Sequence, residues 1–114
     1  SIFCSKKENA ALAGEKINFI HRDYFDFKHD YKFDEIVTNM PVKGKKAKEA
    51  MDAFYARFFE KSKSLLAEDG IIIMYSNEVG FVKKQLRLQP CYRLIQEYTI
   101  RKKDSYCLFI IGMK

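Results

Sequence analysis

The stretch from Phe33 to Ser76 constrains the fold more than any other part of the chain. It opens with "FDEIVTN" (33–39), a short β-branched run bounded by acids and an amide, and ends with "IIIMYS" (71–76), apolar almost throughout. Between them, Ala47, Ala50, Met51, Phe54, Tyr55, Phe58, Leu65 and Leu66 recur mostly at steps of three and four, the period of an amphipathic helix. Lys48, Glu49, Arg57, Glu60, Lys61 and Lys63 fall mostly outside that stripe. "AEDG" is expected to close the helix, with Gly70 at the left-handed position that helix C-termini favour. Two apolar strands joined by a helix read as parallel neighbours in one sheet, each buried on both faces.

The flanking segments extend this unit. "KINFIHRD" (16–23) alternates, with Ile17, Phe19 and His21 on one face, and reads as a strand. "EVGFVKKQLRL" (78–88) is a shorter helix, weakened by Gly80 and stopped by Pro90. "YRLIQEYTIR" (92–101) and "SYCLFIIGM" (105–113), joined by "KKD", read as an antiparallel hairpin. The expected class is α/β: a partial Rossmann-like sheet, mainly parallel, with a C-terminal antiparallel hairpin. The 114 residues suit one small domain, without repeats, low-complexity tracts or interdomain linkers.

Composition excludes several alternatives. The longest apolar runs, "IIIMY" and "CLFIIGM", are too short to span a bilayer, and "SIFCSKKENA" lacks the apolar region of a secretory signal. Cys4, Cys91 and Cys107 are odd in number and widely spaced, which argues for reduced thiols in a cytoplasmic setting. No cluster of His, Cys and carboxylates has metal-site spacing, and His21 and His29 read as structural or exposed. The net charge of +6 suits a polyanion such as RNA, although many basic domains bind none.

Sheets of this kind take ligands beyond the carboxyl ends of their strands. "HRD" (21–23), "TNMP" (38–41) and "SNE" (76–78) all fall at such ends. Here the sequence resembles a known family. "FDEIVTNMP" (33–41) resembles the Asp/Asn/Ser-Pro-Pro-aromatic motif of class I S-adenosylmethionine-dependent methyltransferases that modify amino groups. "INFIHRDYFDF" (17–27) is similar to the preceding strand-plus-acid motif, "LLAEDGIIIMYS" (65–76) to the following helix–strand, and the terminal hairpin to the family's usual ending. The resemblance is strongest to the THUMP-associated RNA guanine-N2 methyltransferases and runs from about Glu8 to Lys114.

The resemblance implies S-adenosylmethionine as cofactor and ribosomal or transfer RNA as partner. An exocyclic base amine is a poor nucleophile because its lone pair is delocalised into the ring. In the family, an amide carbonyl and the next backbone carbonyl accept its two N–H groups, directing the lone pair at the methyl sulfonium; catalysis is positioning and preorganised electrostatics. Carried over, Asn39 supplies the amide and contacts the cofactor, Met40 supplies the carbonyl, and Pro41 keeps Met40 extended. Asp23 would accept a hydrogen bond from the cofactor's adenine amine, and the backbone N–H of Tyr24 would meet a ring nitrogen. Val42, Lys43, Lys45 and Lys46 would face the RNA.

Two positions depart from the motif: Met40 replaces its first proline and Val42 its stacking aromatic. The glycine-rich loop and ribose-binding acid of such a domain have no counterpart in these residues. The chain is therefore expected to correspond to the C-terminal half of a methyltransferase domain, inactive alone and binding little cofactor. It is also expected to associate with itself through the exposed edge of a strand that should be central. The alternative is a non-catalytic basic α/β module that binds RNA or a protein.

Overall fold

The computed structural model describes residues 2–5, 16–19, 21–27, 32–40 and 48–114. In chain order these form β1 (Ile2–Ser5), β2 (Lys16–Phe19), α1 (His21–Asp26), β3 (Phe33–Asn39), α2 (Lys48–Leu65), β4 (Leu66–Ser76), α3 (Val79–Leu88), β5 (Tyr92–Arg101) and β6 (Tyr106–Met113). The strands make one six-stranded sheet in the order β2-β1-β3-β4-β6-β5.

The central unit forms with part of its predicted stripe: Ala50 is exposed, Phe54 half-buried, and Leu66 falls in β4. α2 buries Met51, Tyr55, Phe58, Phe59, Ser62 and Leu65, one stripe of its surface, and the strands on either side of it pair in parallel. α3 buries Val82 and Gln85 and stops at Leu88, two residues before Pro90. β5 and β6 pair antiparallel as expected of the hairpin. In their turn Ser105 takes a left-handed φ of 56°, and Arg101 and Asp104 pair at 3.0 Å.

Three expectations need correction. The sheet is α/β but not mainly parallel: among the described residues β3–β4 is the one parallel pairing, and β1 runs antiparallel to both β2 and β3. Residues 6–15 are too short a connection for the crossover of about a dozen residues or more that parallel neighbours need. The pairing of β1 also covers the edge of β3, so the central strand expected to lie open is occupied on both sides.

The second correction concerns burial. In β3 and β4, Ile36, Thr38, Ile72, Met74 and Ser76 are buried, while Val37, Ile71, Ile73 and Tyr75 are half-buried and Asn39 is exposed. The core gathers side chains of α1, α2 and α3 on the first of these faces: Tyr24, Tyr55, Phe58, Phe59 and Val82 pack with Ile36, Ile72, Met74, Phe109 and Ile111. Alternation therefore replaces the expected two-sided burial.

The third concerns Gly70. α2 ends at Leu65 and "AEDG" belongs to β4, where the register moves from Phe33–Leu66 directly to Glu35–Ile71. No described glycine has a positive φ. Glycine is favoured at this irregularity by close approach, because a Cβ would lie 2.8 Å from Leu66 Cδ2 and 3.0 Å from the Ala67 carbonyl oxygen.

Candidate functional site

β3 and β4 end side by side, with Asn39 opposite Tyr75 in the parallel register. The backbone N–H of Met40 donates to the Tyr75 carbonyl at 2.8 Å and carries the pairing one residue past the end of β3. On the open face, the alternation that buries Thr38 leaves Asn39 exposed, and the alternation that buries Cys107 and Phe109 turns Tyr106 to the same side. Phe3, Val37, Thr38, Asn39, Tyr75, Ile100 and Tyr106 line a cleft of about 510 Å³ there. That volume lies within the range of small-molecule sites.

The cleft sets the Asn39 amide and tyrosine hydroxyls among apolar side chains. Tyr106 Oη donates to Asn39 Oδ1 at 2.7 Å, which fixes the amide with its oxygen toward β6. The Tyr75 and Tyr106 rings stack with centroids 6.3 Å apart and planes 24° from parallel. The Arg101 guanidinium lies 4.6 Å from the centre of the Tyr106 ring, so a cation borders the cleft. Lys102 and Lys103 follow it in the exposed turn.

The residues singled out from sequence divide into three groups. Asn39 is exposed at the carboxyl end of β3 and lines the cleft. Met40 follows it, with its side chain buried and its sulfur 3.8 Å from the Thr38 hydroxyl. Pro41, Val42, Lys43, Lys45 and Lys46 lie outside the described residues. Asp23 falls in α1, in a helix rather than the turn after a strand, and its side chain is not among those described. The Tyr24 side chain is a core group, fully buried, hydrogen-bonded to Ser62 Oγ at 2.6 Å and stacked on Phe58. In "SNE", Ser76 is structural: its Oγ pairs with the Tyr55 hydroxyl and accepts the Glu78 N–H at 2.9 Å, holding the entry to α3.

Sequence reading missed Phe3, Tyr75, Ile100, Tyr106 and Arg101. The signal for Tyr106 was present in the alternation of "SYCLFIIGM", which sets it opposite Cys107, Phe109 and Ile111. Its meeting with Asn39, 67 residues away, depends on the order of strands. Among the described residues, no three His, Cys, Asp or Glu side chains are grouped to hold a metal, and no helix is long and apolar enough to cross a membrane.

Comparison with known proteins accords with this arrangement. The model of the methyltransferase small domain family matches residues 2–106. Among solved structures, TrmN from Thermus thermophilus superposes with a TM-score of 0.66 at 19% identity, covering 86% of this chain and 27% of that one. "A putative sam-dependent methyltransferase from Streptococcus mutans" gives 0.60 at 20% identity, covering 83% and 30%. "SMU.776, a putative methyltransferase complexed with SAH" gives 0.57 at 19% identity, covering 81% and 30%. At such identities the likeness bears on the fold alone, and the chain spans less than a third of each of these proteins. No curated protein matches the sequence.

Proposed function

This chain belongs to the methyltransferase small domain family, and from that premise we propose that it is the substrate-side part of an enzyme that methylates an exocyclic amine of a nucleobase in RNA. S-adenosylmethionine is the proposed cofactor; when bound it supplies the methyl group on its sulfonium. Membership of a methyltransferase family supports that cofactor, and the exposed Arg101, Lys102 and Lys103 beside the cleft support RNA as substrate.

The observation that carries the reading is Asn39. It presents a fixed amide oxygen in an aromatic cleft at the carboxyl end of β3, next to the parallel strand β4. The lining suits a flat heteroaromatic ring bearing an amine: Tyr75 and Tyr106 offer ring faces and Asn39 accepts a proton of the amine. The Met40 carbonyl, next along the chain, is the proposed second acceptor. With both N–H groups held, the nitrogen lone pair leaves the ring plane and can be directed at an electrophile, so the protein's contribution is orientation. The described lining residues include no carboxylate for ribose hydroxyls, so the fit is to a base and not to a whole nucleoside cofactor. Arg101, Lys102 and Lys103 are the proposed phosphate contacts near this cleft, beside Lys43, Lys45 and Lys46 in the segment after the motif. Guanine N2 is the proposed amine, and three unpaired cysteines favour the cytoplasm as the setting.

The test is transfer of labelled methyl from S-adenosylmethionine to transfer and ribosomal RNA by the full-length protein. Asn39→Ala should lower turnover on the order of 100-fold by removing one preorganised hydrogen-bonding group. Cofactor affinity should change little. Near-normal turnover in Asn39→Ala would reduce "TNMP" to the end of a strand, and RNA binding without any methyl transfer would favour the non-catalytic basic module.

A further inference from the structure

Resting on the reading above, we propose that Tyr106 determines which base the cleft accepts, by completing with Asn39 a pair of hydrogen-bond acceptors matched to guanine. The Tyr106 hydroxyl spends its one proton on Asn39 Oδ1, at 2.7 Å. Its oxygen keeps its lone pairs, and the amide oxygen keeps one of its two. Both residues line the cleft, and their hydrogen bond lies at an exposed site. The cleft therefore presents two adjacent acceptors.

The edges of the bases respond to such a pair differently. Guanine carries N1–H and an N2 amine side by side, two donors in one plane. Adenine sets its N6 amine beside the acceptor N1, and cytosine its N4 amine beside the acceptor N3. Against two acceptors these bases make one hydrogen bond and oppose one lone pair to another. The hydroxyl can turn its proton to adenine N1 only by releasing Asn39, so adenine then closes two hydrogen bonds where guanine completes three. A buried or half-buried acceptor left facing an acceptor loses its hydration without a partner, which is where discrimination arises. The ring of Tyr75, which also lines the cleft, adds stacking that every base shares, so the edge and not the face carries the choice. Alternation in β6 turns Tyr106 to the open face, and the order of strands brings it to Asn39, whereas the motif's aromatic position is Val42.

The experiment needs no cofactor. Guanosine, inosine and adenosine 5′-monophosphates are titrated into the full chain labelled with nitrogen-15, following the side-chain amide signals of Asn39. The sugar and phosphate are common to all three, so differences report the base. Guanosine monophosphate should bind about tenfold more tightly than adenosine monophosphate, as a bidentate base contact commonly provides. Inosine, which lacks the N2 amine, should fall between. Tyr106→Phe keeps the ring and should bring guanosine within about twofold of adenosine, with adenosine affinity unchanged. Absence of binding, absence of a preference in the wild type, or a preference that survives Tyr106→Phe would each overturn the assignment. Loss of methyl transfer in Asn39→Ala alongside no base preference would leave the proposed reaction standing and remove Tyr106 from it. A Tyr106-dependent preference without methyl transfer would do the reverse.

Discussion

Met40 shows how one residue can depart from a motif for a structural reason. Its backbone N–H donates to the Tyr75 carbonyl, a bond that proline cannot make, and its side chain is 3% exposed in the core. Restoring the family's residue should therefore harm this protein. Met40→Pro loses the ladder hydrogen bond and part of the buried thioether, and we expect it to lower unfolding free energy by about 2–4 kcal/mol. Urea unfolding of the two proteins measures it, and equal midpoints would show that the bond contributes nothing. Tyr24 makes the complementary point. Its hydroxyl lies in the core against Ser62, so its side chain serves α1–α2 packing whatever its backbone N–H contacts.

Among the described elements, β2 and β5 are the two edge strands of the sheet, and β5 is the longer. It runs for ten residues at one edge of the sheet, pairs only with β6, and exposes Leu94, Ile95, Tyr98 and Ile100. Arg93, Glu97 and Arg101 and two register irregularities blunt that edge without covering it. The exposed edge expected at the centre of the sheet is closed by β1, so we propose that copies of the chain associate through β5 instead. Sedimentation should then show mass rising with concentration. Tyr98→Lys adds a charge to the open edge and should reduce that association with the urea midpoint nearly unchanged. A monomer at every concentration would refute the proposal.

At the scale of the molecule, burial in the described core raises the pKa of four groups, Cys4, Tyr24, Tyr55 and Tyr92. Burial raises the Cys4 thiol from 9.0 to about 12, and the Tyr55 hydroxyl from 10.0 to about 12 despite its hydrogen bond to Ser76. Burial likewise pushes Tyr24 and Tyr92 far up. Above pH 9 the unfolded chain begins to lose these protons while the folded chain keeps them. Protons bound to the unfolded state then fall below those bound to the folded state, and stability drops as pH rises. We expect a flat urea midpoint from pH 7 to about 8.5 and a steady fall from about 9 to 12, each group contributing up to about 1.4 kcal/mol per pH unit. A midpoint that holds to pH 11 would mean that these groups titrate freely in the folded protein.

The sequence by itself determined the elements whose signals are local. The stripe of α2, the stop of α3 before Pro90, the C-terminal hairpin and the parallel β3–β4 unit all follow from periodicity, proline and turn length, and Asn39 could be named from its motif. It could not determine what depends on neighbours. A continuous apolar run looks the same whether one face or both are covered, so only the tertiary structure decided that β3 and β4 keep one face open. The direction of β1 and the closing of the β3 edge follow from which strands pair, not from a local pattern within either strand. The partner of Asn39 was decided the same way. Tyr106 is 67 residues distant, and β6 brings it there because the hairpin folds back beside β4, a long-range pairing that no local pattern encodes.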